Sequence, residues 1–173
     1  MKKKEEIIDL INENDETIGF ATRSEVKQKK LLYRCAGIYL ERNGKIALEK
    51  RSAKKEIRPR NWSIVEETVK SGETFEQAAI RGLKEELGLK AINLKFIGKK
   101  IIEDTKYPDK FMLGIFKCTA KGDLKLQKDE VEKARFLMPK QVEAMIKKGK
   151  NISPSLSETF EIYIKSKDGS NEK

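Results

Sequence analysis

GETFEQAAIRGLKEELGL, residues 72–89, carries the clearest helical signal in the chain. Between Thr74 and Leu87 the apolar side chains recur with a helical period. Phe75, Ala79, Leu83 and Leu87 fall four apart on one face, with Ile80 beside them. Gly72, in the preceding Ser-Gly-Glu turn, is free to take positive φ, and Gly88 stands where glycine is favoured to end a helix. Glu85 and Glu86 are adjacent carboxylates at the border of the face to be buried, not opposite it. Such a pair suits a hard divalent cation, which takes a few carboxylate oxygens together with substrate phosphate oxygens and activates water for attack on phosphorus.

Before the helix the pattern is that of strands. EIIDLIN (6–12) and TIGFATR (17–23) flank the turn-prone NENDE, and LYRCAGIYLE (32–41) meets KIALEKR (45–51) through a tight Arg-Asn-Gly turn. SAKKEIRPRN (52–61), with its charges and Pro59, is a loop, after which WSIVEE (62–67) is again extended. Beyond the helix, NLKFIGKKIIE (93–103), KFMLGIFKCTA (110–120) and KARFLM (133–138) read as strands. Pro139 opens the helix PKQVEAMIKK, and a last helix starts at Pro154 with Ser153 as its cap. The expectation is one α+β domain over residues 1–165, with 1–32 as N-terminal strands and extension and 166–173 as a flexible tail.

Composition bounds the function. The chain has 173 residues, with apolar and charged residues each at 38%, the balance of a folded domain with a well-solvated surface. No apolar run approaches membrane length, and the N-terminal lysines give way to Glu5 and Glu6 instead of a signal-peptide core, which places the protein in the cytoplasm. The net charge of +10 favours anionic partners. Lysine dominates it and is spread along the whole chain, which argues against a nucleic-acid footprint. Cys35 and Cys118 lie in apolar stretches and read as buried thiols. Histidine is absent, which removes His-based zinc sites, Ser-His-Asp triads and Cys-His dyads together.

Glu73, Arg81, Leu83, Glu85, Glu86, Gly88 and Leu89 stand in the register of the Nudix box, Gly-x5-Glu-x7-Arg-Glu-U-x-Glu-Glu-x-Gly-U with U aliphatic, and the late segment DEVEKARFLMPKQV is similar to that of Nudix proteins. The resemblance implies an α/β/α sandwich around a mixed sheet. It also implies a metal-dependent pyrophosphohydrolase that uses Mg²⁺ or Mn²⁺ to cleave a nucleoside diphosphate linked to another moiety. In that reading Glu73, Arg81 and Gly88 are structural, and Glu85 and Glu86 hold metal. Glu86 also serves catalysis, with Glu130 or its neighbour Glu132 as the further acid. Two positions depart from the box: Glu67 replaces its first glycine, and Gly82 replaces the glutamate after the arginine. The bare Gly82 leaves room for a carboxylate from a neighbouring strand, Glu66 or Glu67, and Glu67 is assigned as the third metal ligand.

EKRSAKKEIRPRNW (49–62) resembles the diphosphate-holding pattern of isopentenyl-diphosphate isomerases and their hydrolase-like relatives, with Arg51 and Lys55 at the basic positions and Pro59 and Trp62 following. Arginine offers a fork of donors and lysine a movable charge, so the pair suits phosphate oxygens. Isomerisation itself is not expected, because the chain lacks histidine and shows no cysteine near Glu66 or Glu67. The partners expected are a small-molecule diphosphate and, in a homodimer, a second copy of the chain. The alternative is a catalytically impaired nucleotide-binding or regulatory module that has lost a ligand at Gly82. Tyr107 and Phe111 are read as packing residues rather than as a platform for a base.

Overall fold

The N-terminal alternation folds as an antiparallel hairpin, β1 (Ile7–Ile11) against β2 (Thr17–Thr22). The structure, a computed structural model, describes residues 5–169. The turn between these strands is organised by Asn12, whose side-chain carbonyl accepts the amides of Asn14 and Glu16 at 3.0 Å each. A helix then follows that the sequence reading missed, α1 (Arg23–Lys29), so the N-terminal extension is not strands alone. With Val26 its only buried residue, the helix carries no apolar period to detect. The available signal was the capping box, in which Thr22 accepts from the amide of Glu25 and the Glu25 carboxylate accepts from that of Thr22.

β3 (Tyr33–Arg42) is the central strand. On one edge it runs parallel to β8 (Lys110–Lys121). Its other edge serves three strands in succession: β1 at Tyr33, β6 (Val65–Thr68) along Cys35–Ile38, and β4 (Lys45–Arg51) at Glu41 and Arg42. The β3–β4 turn takes positive φ at Asn43 and Gly44, 51° and 73°, the pair of left-handed residues a two-residue hairpin needs. After two pairings the hairpin strands part, and β4 continues with β5 (Trp62–Ser63) and β9 (Val131–Leu137). β7 (Lys90–Glu103) completes the sheet against β8.

Alternation along β3 sends its side chains to two cores. Ala36, Ile38 and Leu40 meet Ala79, Leu83 and Leu87 of α2 (Phe75–Leu87). Cys35 and Tyr39 face the other side, among Val142 of α3 (Pro139–Lys148) and Leu156, Phe160 and Tyr163 of α4 (Pro154–Asp168). Tyr39 stacks on Tyr163 with ring centroids 4.4 Å apart. The result is the expected α/β/α sandwich with a mixed sheet. Ile80, grouped in sequence with the apolar face of α2, is half exposed on its outer side. The segment read as a tail begins inside α4, which runs through Asp168, and residues 170–173 lie outside the described range. Phe111 is fully buried, in keeping with packing. Among the described residues no helix is long and apolar enough to cross a membrane.

Candidate functional site

Where β3 and β4 part, a cavity of about 760 Å³ opens, lined from one side by β3 and β6 and from the other by β4 and the loop after it. α2 closes it. That helix is fixed at its start by the Thr74–Gln77 capping box and at its end by Gly88, at φ 70°. Arg81 donates to both oxygens of Glu73, at 2.8 and 2.9 Å, and to the carbonyl of Thr68 at 2.8 Å. These bonds tie the middle of α2 to its preceding turn and to the end of β6. Arg81 also holds the Glu73 carboxyl below the usual carboxylate range.

The strand period separates the two glutamates of β6. Glu67 lies opposite Ala36 and faces α2, whereas Glu66 lies opposite Gly37 and faces α4. Glu66 stands 3.5 Å from Arg58 and accepts a hydrogen bond from Ser155 at the start of α4. Glu67 fills the space over Gly82. A Cβ at position 82 would lie 2.6 Å from the Glu67 Cβ and 3.1 Å from its Cγ, a collision between atoms close to two backbones. The Glu67 carboxylate reaches within 3.3 Å of Arg81; burial raises its pKa and Arg81 opposes the rise.

The two helix glutamates differ. Glu85 is exposed and lies 3.4 Å from Arg81, while Glu86 is buried and interacts with Glu49 of β4, itself buried. Burial raises the pKa of both, and the charge of Glu49 pushes Glu86 further up. Sequence reasoning passed over Glu49, which sits in a strand that ends in a run of charges. The usable signal was its parity with Ala47, which places a carboxylate on the face turned toward α2.

Glu49 Oε2 has no hydrogen-bonding partner among the described residues. Two buried carboxyls, one with an orphaned oxygen, and two more glutamates nearby form an all-oxygen donor set that fits a hard divalent cation. The fit is one of donor chemistry, since among the described residues no three such groups already stand together as a cage. Glu67 and Glu85 are drawn instead onto Arg81.

Glu49→Gln removes one of the two facing carboxyls and is expected to stabilise the metal-free protein by about 1 kcal/mol, or about 2–4 °C in Tm. The sign with pH follows from the raised pKa. Stability from this pair is full below the unfolded value of 4.5 and is lost as pH rises through the higher folded value, so the gain belongs to neutral pH and vanishes near pH 4. Thermal unfolding of parent and variant between pH 4 and 8 checks this, and a variant less stable than the parent at pH 7 contradicts it.

Arg51, Lys55 and Glu130 all line the cavity. Arg51 donates through Nε and Nη2 to the carbonyl of Ile57, at 3.3 and 3.1 Å, and so braces the loop. Lys55 and Glu130 are paired directly with each other, beside the Lys54–Asp129 pair at 2.6 Å. Glu132 bonds Lys50 at 3.0 Å and does not line the cavity. Trp62 is likewise outside it, under the Arg135 guanidinium at 5.5 Å.

A cysteine does stand near the Glu66–Glu67 pair, contrary to the expectation from the sequence. Cys35, distant from the Glu66–Glu67 pair in sequence, pairs across β3–β6 with Thr68 and lines the same cavity. Burial, with the charges of Glu66 and Asp109, raises its pKa well above the usual thiol value, which keeps it a neutral thiol and a poor nucleophile.

A family model described as NUDIX domain matches residues 32–160. An uncharacterized Nudix hydrolase of Pseudomonas aeruginosa is 27% identical to the chain, over 78% of it and 79% of that protein. The uncharacterized Nudix hydrolase YfcD of Escherichia coli is 28% identical over 80% of the chain and 77% of its own length. Among solved structures, DR0079 from Deinococcus radiodurans superposes with a TM-score of 0.76 at 22% identity, covering 90% of this chain and 98% of that one. The MutT protein from Methanosarcina mazei superposes with a TM-score of 0.65 at 18% identity, covering 82% of this chain and 96% of that one.

Proposed function

The chain belongs to the Nudix family, and from that membership we propose that it is a cytoplasmic, metal-dependent pyrophosphohydrolase that uses Mg²⁺ or Mn²⁺ to cleave a nucleoside diphosphate linked to another moiety. The observation that carries this reading is the exchange at positions 67 and 82. The carboxylate that the box places on the helix is absent at Gly82, and the space beside Gly82 is filled by a glutamate from β6. The residue types are traded between two backbones, and a glutamate is retained beside the helix.

On this reading Glu86, Glu85 and Glu67 hold the metal, with Glu49 beside Glu86 as a fourth oxygen donor. The metal, when bound, supplies charge neutralisation on the phosphate oxygens and a more acidic water. The chain's own residues do the rest. Arg51 and Lys55 hold the diphosphate by charge-assisted hydrogen bonds. A phosphate that takes Lys55 separates it from Glu130, whose carboxylate is then free at the cavity to accept the proton of the attacking water. Arg81, tied to Glu73 and to the end of β6, keeps α2 and Glu67 in place. Kinship to the isomerase-like subset rests on Arg51 and Lys55 in the cavity. Without histidine, and with Cys35 held as a neutral thiol, hydrolysis remains the favoured chemistry.

A screen with Mg²⁺ and Mn²⁺ across nucleoside diphosphates and triphosphates, sugar nucleotides and dinucleoside polyphosphates is expected to reveal metal-dependent phosphate release that EDTA abolishes. No turnover of any class with either metal sinks the reading. Nucleotide binding without turnover would then favour the impaired binding module.

A further inference from the structure

The cavity is built almost wholly of ionisable groups. Of its 23 lining residues ten are Asp or Glu and eight are Lys or Arg, which leaves little to recognise a base. Base recognition uses aromatic faces or neutral donors and acceptors held in place. Among the described residues Tyr33 is the one aromatic at the cavity, and it is committed elsewhere. Its hydroxyl donates to Asp109 at 2.7 Å, and its ring packs on Phe111 with centroids 5.9 Å apart.

Apart from Arg58 and Arg81, which are hydrogen-bonded to Asp104 and Asp109 and to Glu73 respectively, the cations come in two groups of three from separate parts of the chain. Arg51, Lys54 and Lys55 belong to β4 and its loop. Arg23 and Lys27 of α1, with Lys70 of the turn before α2, form the other. α1 precedes residue 32, so two of these cations lie outside the stretch that the family model matches. The unit that carries them is firmly attached. The Ser71 amide donates to the Ile7 carbonyl at 3.3 Å, its hydroxyl donates to Asp9, and Lys30 lies 3.0 Å from Glu103.

Two members of the second group, Lys27 and Lys70, are held by contacts that yield easily. Lys27 meets Glu56 at 3.2 Å, and Glu56 is 84% exposed; Arg23 and Lys70 share Glu6 at 2.7 and 3.8 Å. The Lys27–Glu56 pair and the long Lys70–Glu6 contact are worth about 1 kcal/mol or less, and a phosphate offering several charge-assisted bonds displaces them; the part-buried Arg23–Glu6 pair is the firmest of the three.

We propose that the cavity selects its substrate by the length of the phosphate chain and not by the base, with Lys27, Lys70 and Arg23 holding the phosphates beyond the first two. This rests on the pyrophosphohydrolase reading. The substrate class is then a nucleotide with three or more linked phosphates, engaged by both cationic groups at once, whereas a diphosphate engages only one.

Two measurements test it. With Mg²⁺, kcat/KM is compared for nucleoside diphosphates, nucleoside triphosphates and dinucleoside tetraphosphates, each with four bases. The expected result is a rise of about tenfold from di- to triphosphate and a spread of less than about threefold among bases. Separately, calorimetry on the metal-free full chain compares inorganic pyrophosphate with inorganic tripolyphosphate. Tripolyphosphate is expected to bind about tenfold tighter, an advantage that the Lys27→Gln/Lys70→Gln variant loses. A tenfold preference for one base, equal binding of the two inorganic anions, or an undiminished preference in the variant overturns the proposal. Absence of all hydrolysis with the tripolyphosphate preference intact overturns the hydrolase reading alone and leaves phosphate-chain recognition standing.

Discussion

Gly82→Glu is expected to abolish hydrolysis and Glu67→Gly to reduce kcat at least about 100-fold, while the double exchange returns activity to within about tenfold of the parent. The first effect is steric. The new Cβ would lie 2.6 Å from the Glu67 Cβ, and neither atom can swing away because each is bonded to a backbone in regular structure. Overpacking of this kind costs about 1–3 kcal/mol and displaces α2, with Glu85 and Glu86, from β6. The second effect is chemical, since the α2–β6 junction loses its carboxylate. Glycine at 67 removes the obstructing atoms, so glutamate at 82 has room. The double variant therefore restores the arrangement of the Nudix box. Activity and Mg²⁺ affinity of the two single variants and the double variant form a closed cycle. Additive losses in the double variant would show that Glu67 and Gly82 do not act as one unit.

Arg58→Ala is expected to destabilise the protein by about 3–5 kcal/mol, which lowers Tm by about 10 °C. Arg58 is 3% exposed and takes φ 51°, an unusual conformation for a side chain of its size. Its guanidinium donates to Asp104 at 2.8 Å and to Asp109 at 2.9 Å, stands 3.5 Å from Glu66, and lies 5.8 Å from the Phe111 ring centre. Removing it leaves three carboxylates of low exposure without their shared cation, and the penalty is that of uncompensated charge more than of lost packing. Lysine is expected to recover only part of the loss, because one ammonium cannot reproduce a fork directed at two aspartates. The same bonds join the loop that carries Lys55 to the β7–β8 connection, so KM for a diphosphate substrate should rise more than kcat falls. Calorimetric unfolding and steady-state kinetics of the alanine and lysine variants check both statements. An alanine variant within 1 kcal/mol of the parent would contradict the first.

Much of this was legible in the residues. The helix from Phe75 to Leu87 declared itself by period, its C-terminal end by Gly88, and the β3–β4 hairpin by Asn43 and Gly44. What escaped has physical reasons. α1 buries a single side chain, so periodicity is silent there although its capping box is present. Glu49 looks like one charge among several until the strand face it shares with Ala47 is known. The preference for Glu67 over Glu66 has no local ground in the sequence, because which of them faces α2 is a matter of pairing that the register with Ala36 and Gly37 decides. Arg58 is a loop residue whose partners lie 46 and 51 positions away, and nothing local announces a buried guanidinium.

The strands that follow one another along one edge of β3 set the spacing of the acids they carry. Glu67 is carried by a strand bonded to Cys35–Ile38, and Glu49 by one bonded to Glu41 and Arg42, so a single segment of backbone acts as the gauge between them. One step along a strand is about 3.3 Å, longer than the reach of a Mg²⁺–oxygen bond at about 2.0–2.1 Å. Insertions and deletions are therefore not equivalent across the molecule. A residue added to β3 between Ile38 and Glu41 would reverse the in–out alternation of every position beyond it, whereas one added at the exposed turn of Gly149 and Lys150 would leave β3 untouched.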